Sequence, residues 1–196
     1  MRLYMKSKRQ NRNAGFSLVE LLVTLAIMAV LIAGSAVSYS LINRTNVKKS
    51  AEIVDDYLTL CKEKAKTSSA YEWNVTIDAT GDKNIRVELV KVTKQEDGYL
   101  YEEIVQSESL PAKIVIRVDD KYGSPNYVSG ETGDRKYVSI AFGALSGNVS
   151  KVYFDKNDTI GMDVSGGYCD IVSDYKDKKQ KTIRLYFTTG KHSIID

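Results

Sequence analysis

Cysteine, proline and histidine are scarce in this chain of 196 residues, which holds two cysteines, two prolines and one histidine. Two cysteines, Cys61 and Cys169, are too few for a disulfide framework, and they have no metal-ligand spacing. Unpaired core thiols are the favoured reading, although a domain outside the cytoplasm could also oxidise them. A single histidine, His192, lies in a strand-like final segment and reads as a surface side chain rather than a base. No proline interrupts Phe16 to Ser69, so nothing there forces a helix to stop, and Gly34 is the one internal weak point. Acidic residues are missing from the first fifteen positions. Internal repeats and low-complexity linkers are also absent.

What is present begins with a polar leader. Arg2, Lys6, Lys8, Arg9 and Arg12 precede Gly15, after which GFSLVELLVTLAIMAVLIAGSAV is apolar with one charge, Glu20. Phe16 to Val37 is long enough to cross a hydrocarbon layer of ~30 Å at ~1.5 Å per residue. The basic leader holds the amino end in the cytoplasm and leaves everything after Val37 outside. A carboxylate within a spanning helix is costly and asks for a function and a partner. A secretory signal peptide would share the basic residues, the apolar stretch and a small-x-small site, here Gly34-Ser35-Ala36. A glutamate within the apolar stretch is unfavourable for that reading, and the helical pattern runs on past Ala36. An ordinary single-pass anchor leaves Glu20 and the Gly15-Phe16 junction unexplained.

The leader, the Gly15-Phe16 junction and Glu20 together resemble the prepilin leader of type IV pilins and type II secretion pseudopilins. The resemblance implies that prepilin peptidase, a membrane aspartic peptidase, cuts between Gly15 and Phe16, and that the new amino-terminal Phe16 is N-methylated. It also implies that the helix leaves the lipid and packs against other pilin subunits. Glu20 would then pair with the free amine at Phe16 of a neighbour, a group with a reference pKa of ~8. The positive end of the helix adds to that attraction. Such a chain would sit in the inner membrane as a single-pass protein and then in a pilus or pseudopilus, at the cell surface or in the periplasm.

Removal of the leader would also change the charge. The whole chain carries +3, but five of its 28 basic residues and none of its 25 acidic ones lie in the leader. The remainder has 23 basic and 25 acidic residues, a net of −2, so overall charge gives little support to nucleic-acid binding.

Beyond the membrane segment, Val47, Ala51, Val54, Leu58, Cys61 and Ala65 follow a four-three spacing that lays one stripe along a helix. Lys48, Lys49, Glu52, Asp55, Lys62, Glu63, Lys64 and Lys66 fall on the other faces. A single helix of some fifty residues is expected, its first half in lipid and its second half amphipathic. The rest reads as short strands broken by glycines: around Trp73 to Ile77 and Ile85 to Leu89, then 99–105, 113–118, 136–142, 149–154, 168–172 and 182–188. Asp119 to Asp134 is polar and Gly-rich and reads as an exposed loop. The fold class is therefore α+β, a long amino-terminal helix packed on an antiparallel β-rich domain. Its parts are the leader 1–15, the membrane and filament-core helix 16–37, the amphipathic continuation 38–69 and the globular domain 70–196.

In this β-rich part the chain is similar to H-type minor pseudopilins and related minor pilins, in which a strand follows the amphipathic helix at once, as in TLCKEKAKTSSAYEWNVTID. That group tends to carry two F-x-x-x-G-like signatures near its end. Phe142 leading to Gly147 and Phe187 leading to Gly190 fit that arrangement. The proline frequent midway along the apolar segment of major pilins is absent, which favours a minor subunit.

No residue set reads as catalytic, and no cofactor is implied. Asp155-Lys156-Asn157-Asp158 starts like a calcium loop but has Ile160 where that loop needs glycine and Gly166 where it needs glutamate. Asn74-Val75-Thr76 matches a glycosylation sequon, a weak signal in a prokaryotic context. Two functions follow from these readings. One is a structural, minor subunit that contacts neighbouring subunits or secreted cargo. The other is a DNA-capturing minor pilin for transformation, its phosphate contacts drawn from the basic run Lys176, Lys178, Lys179, Lys181 and Arg184, which Asp174 and Asp177 partly offset.

Overall fold

The computed structural model describes residues 16–80, 84–94, 100–122, 125–128, 137–155, 161–175 and 179–195. Helix α1 runs from Leu18 to Thr67, fifty residues without a break. Gly34, the expected weak point, lies inside that run. Hydroxyls in this stretch bond back to the helix: Thr24 donates to the Leu21 carbonyl at 2.9 Å, Ser35 to Ile32 at 2.8 Å and Ser38 to Gly34 at 3.1 Å. Each hydroxyl thereby finds a partner within its own helix.

Eleven strands follow among the described residues. Strands β1 (Glu72–Asp78), β2 (Arg86–Lys94) and β3 (Leu100–Ser109) form an antiparallel series. Strands β4 (Val115–Asp120), β5 (Pro125–Val128), β6 (Tyr137–Phe142), β7 (Val149–Tyr153) and β8 (Gly161–Met162) come next. Strands β9 (Tyr168–Tyr175), β10 (Lys179–Tyr186) and β11 (His192–Ile195) complete the series. They form two sheets, one of order β3-β2-β1-β6-β7-β8 and one of order β11-β10-β9-β4-β5, with every pairing among the described residues antiparallel. The class is α+β, as the periodicities imply.

The chain divides into two compact units, Met1–Leu41 and Ile42–Asp196. Within the second, the carboxy-terminal part of α1 packs with both sheets around one core. All six stripe residues, from Val47 to Ala65, are buried in it, with Leu58, Cys61 and Ala65 fully enclosed. The buried face is wider than the stripe, because Asn43, Ser50, Ile53 and Tyr57 are buried as well. A helix packed on a globular core buries a face broader than one narrow stripe.

Two segments depart from the sequence reading. The stretch 119–134 is not all loop: β4 reaches Asp120, and β5 pairs back on it with Asp119 opposite Pro125. Pro125 opens an edge strand, where a missing N–H breaks no ladder. Residues 129–134 lie outside the described residues. Strand β1 is also buried on both faces rather than one. It lies inside the six-stranded sheet, and its polar residues bond within that sheet. Asn74 donates to the Tyr153 hydroxyl at 2.9 Å, and Thr76 lies 3.4 Å from Ser139 Oγ. Burial raises the Tyr137 phenol to about 12 in this layer.

The two F…G signatures converge in space. Phe142 and Phe187 are both buried, and the Val149 N–H donates to the Phe187 carbonyl at 2.8 Å, tying the two signature segments together. Gly147 and Gly190 both have positive φ, at 66° and 57°. A Cβ on Gly190 would lie 2.0 Å from the Gly147 carbonyl oxygen, so neither sheet end could close over a side chain there.

Candidate membrane and assembly segment

The amino-terminal turn of α1 is organised by Ser17 and Glu20. The Ser17 hydroxyl accepts from the Val19 N–H at 3.2 Å, and the Glu20 carboxylate accepts from the Ser17 N–H at 3.4 Å. This reciprocal pair is a form of the S-x-x-E capping box in which the hydroxyl takes the second helical N–H rather than the third, and it satisfies helix-end donors in an apolar run. The negative charge also faces the positive end of the helix. The sequence signature Ser17-Leu18-Val19-Glu20 was available in the chain, so Ser17 belongs to the site although attention to the lone charge passes over it.

From Phe16 to Leu41 every described side chain is exposed, large apolar ones included: Phe16 is 82% exposed and Val30 72%. By length and composition α1 can cross a membrane. An apolar surface of this extent requires lipid or protein around it. Phe16 and Glu20 are thus both on the accessible first turns, whereas Gly15 and the basic leader lie outside the described residues.

One comparison decides what this segment is similar to. Residues 10–36 carry a prokaryotic N-terminal methylation motif. The motif spans the Gly15-Phe16 junction and Glu20, and it supports a type IV pilin-like or pseudopilin subunit. With the apolar helix it fits an inner-membrane anchored pilin processed by prepilin peptidase and assembled with other pilins. It also points to a structural rather than an enzymatic protein. No curated protein and no solved structure matches the chain.

Of the basic run, the structure describes the side chains of Lys181 and Arg184. Lys176 and Lys178 lie outside the described residues, and Lys179 opens β10. Lys181 and Arg184 are three residues apart on a strand, which places them on opposite faces. Arg184 is also taken. Its Nε and Nη2 donate to the two Asp170 oxygens at 2.8 Å each, across a register that sets Arg184 opposite Asp170. Its guanidinium lies 4.2 Å from the Tyr168 ring centre. The Asp170 hydrogen bonds raise the Arg184 pKa, so this pair is firmly ionic.

His192 is held, not free at the surface, which corrects the sequence expectation. Register puts it opposite Leu185, a core residue, so it shares that residue's face. Its Nδ1 lies 3.1 Å from the Gly190 carbonyl, which can only accept. Nδ1 therefore donates, and in the neutral ring Nε2 accepts from the Thr59 hydroxyl at 2.9 Å. Asp55 Oδ1 is 3.8 Å from Nε2, and burial raises the Asp55 carboxyl. The histidine joins the last strand to α1.

Cys61 and Cys169 are free and buried. Burial pushes the Cys61 thiol far up and the Cys169 thiol to about 12, so neither supplies a thiolate. Among the described residues no group of His, Cys, Asp and Glu is placed to hold a metal ion. Lys156, Asn157, Asp158 and Ile160 of the calcium-like stretch lie outside the described residues.

Proposed function

We propose that this chain is a structural subunit, in a minor role, of a type II secretion pseudopilus or a type IV pilus. The observation that carries the reading is the methylation motif at residues 10–36 on a helix whose first half exposes an unbroken apolar surface. Prepilin peptidase cuts after Gly15, and Phe16 becomes the methylated amino terminus. The carboxy-terminal domain lies outside the membrane. In the bilayer, lipid covers the helix from Phe16 to Val37; in the filament, neighbouring helices replace the lipid.

Glu20 links those two states. Alone, it caps its own helix through Ser17 N–H. On assembly it takes the Phe16 amine of a neighbour, exchanging a long bond to a neutral N–H for a pair with a full positive charge. The paired F…G signatures and the missing proline support the H-type minor branch.

Substituting Glu20 tests the reading. Glu20→Ala is expected to insert and be processed normally but to enter purified filaments poorly. Removing a charge makes the segment more favourable in lipid, so a defect traced to failed insertion contradicts the argument. Wild-type entry into filaments rules out an essential pairing.

DNA capture is the second reading, and the Asp170–Arg184 pair weakens it, because a guanidinium already paired must break that pair to meet a phosphate. Secretion genes or competence genes beside this one would separate the two functions.

A further inference from the structure

The carboxy end of α1 carries cations that no described residue balances. The stems of Lys62 and Lys66 lie over Gly147, where a Cβ would stand 3.3 Å from Lys62 Cγ and 2.7 Å from Lys66 Cε. Lys191 comes from the turn between β10 and β11. Burial, then Lys66 and Lys191, lower the Lys62 pKa. None of the three lysines forms an ion pair among the described residues. Like charges at i and i+4 are unfavourable on a helix. The helix dipole favours a lysine in the last turn, Lys66 included, but gives no reason for Lys191, which another element brings in.

Beside this cluster stands Leu145, in the turn between β6 and β7. Its φ is 64°, a region that bulky side chains rarely enter, and its N–H donates to the Ala65 carbonyl at 2.9 Å. Glycine would hold that turn without strain. The leucine is instead 65% exposed. A strained residue that presents an apolar side chain to solvent points to a contact outside the monomer.

We propose that Leu145 with Lys62, Lys66 and Lys191 forms the docking surface for a filament subunit of a different kind, whose contact face sets an apolar pocket among carboxylates. Leu145 enters the pocket and the lysines meet its acidic rim, an apolar centre inside a polar border. Charge complementarity selects that occupant. A phosphate polymer would answer the lysines and leave the leucine unused. A second copy offers no match at its open edge β3, because Glu102 lies opposite Val92 and Glu108 opposite Val87, on opposite faces of the sheet. A contact that the chain does not make with itself suits a subunit in a minor role. The inference rests on the subunit reading and adds which surface meets the neighbour and what that neighbour carries.

Photo-cross-linking of the full-length chain in cells that assemble the filament tests it. Both native cysteines are buried, so a thiol-reactive benzophenone labels Leu145→Cys at that position alone. The expected product is an adduct with a different subunit, the linked peptide carrying at least two carboxylates. Lys62→Glu with Lys66→Glu is expected to cut its yield roughly tenfold, and changing the partner's carboxylates to lysines to restore it. Leu145→Gly relieves the backbone, so it is expected to leave thermal stability unchanged or higher while lowering entry into purified filaments. A loss of stability in Leu145→Gly would make the leucine structural and overturn the proposal. So would an adduct with a second copy, a yield indifferent to charge reversal, or duplex DNA held by the same lysines. If the unaltered chain sediments with filaments but the probe links to no protein, only this contact fails; if the unaltered chain is absent from filaments, the subunit reading fails too.

Discussion

The two parts of α1 share backbone geometry and differ in everything their side chains meet. From Phe16 to Leu41 the described side chains are all exposed, and the residues are apolar on every face. From Ile42 to Thr67 one broad face is enclosed and the lysines and glutamates lie opposite. Uniform apolarity and periodic apolarity therefore specify different solvents for one helix. The first asks for a medium that surrounds it, the second for a surface that meets one side.

Truncations in the two parts break or sharpen that contrast. Leu58→Ala removes a fully buried side chain and is expected to destabilise the domain by about 2–5 kcal/mol in denaturant unfolding. Leu25→Ala, in the exposed part, is expected to leave that transition within about 0.5 kcal/mol. Equal effects would mean that the first part also packs within the monomer.

Gly190→Ala puts a methyl where the Gly147 carbonyl already lies, at a backbone angle that favours glycine. It is expected to lower stability by more than about 1 kcal/mol, with Gly34→Ala as the control, since nothing lies within 4 Å of a Cβ at Gly34. A thermal shift of the same sign and size in both would deny the close approach of the two turns.

Ser17→Ala removes one arm of the capping box and is expected to weaken the first turn by about 1 kcal/mol. Faster amide exchange at residues 18–20 would report it, with the domain unchanged.

The smallest effect is one of pH. Burial raises the Asp55 carboxyl, with His192 opposing, and raises Asp119 likewise, with Arg117 opposing. A raised acid binds more protons folded than unfolded, so its ionisation lowers stability as pH rises through the interval above 3.8. Asp55→Asn is expected to flatten that part of the stability profile and to be most stabilising above the interval. An unchanged profile would place the slope elsewhere.

Much of this was legible in the sequence, because periodicity over many residues reports solvent directly. The stripe from Val47 to Ala65 and the unbroken helix needed no tertiary information. The second buried row, Asn43 to Tyr57, was not legible: the width of the buried face is set by what packs on the helix, which helical periodicity alone does not fix. Strand β5 was hidden for a similar reason, since a polar, Gly-rich composition says nothing about a partner such as β4. His192 was misread because a lone polar residue near a chain end looks solvated, whereas strand register opposite Leu185 turns it inward. The basic run looked like a patch in one dimension, yet strand alternation separates Lys181 from Arg184. At the candidate site, charge and hydropathy mark the polar-to-apolar break at Gly15-Phe16 and the lone charge of Glu20, their roles in processing and assembly come from the resemblance, and the Ser17 partner required noticing its three-residue spacing from Glu20.

The claim at the centre of this account is that the chain matures at Gly15-Phe16 and works from that new end. Mass spectrometry of the amino-terminal peptide from cells with active prepilin peptidase tests it most directly. The account predicts a first residue of Phe16 carrying one methyl group, and an uncut membrane-bound precursor when Gly15 is replaced by a large residue. An intact leader in the unaltered chain, or a terminus created by cleavage after Ala36, would contradict it.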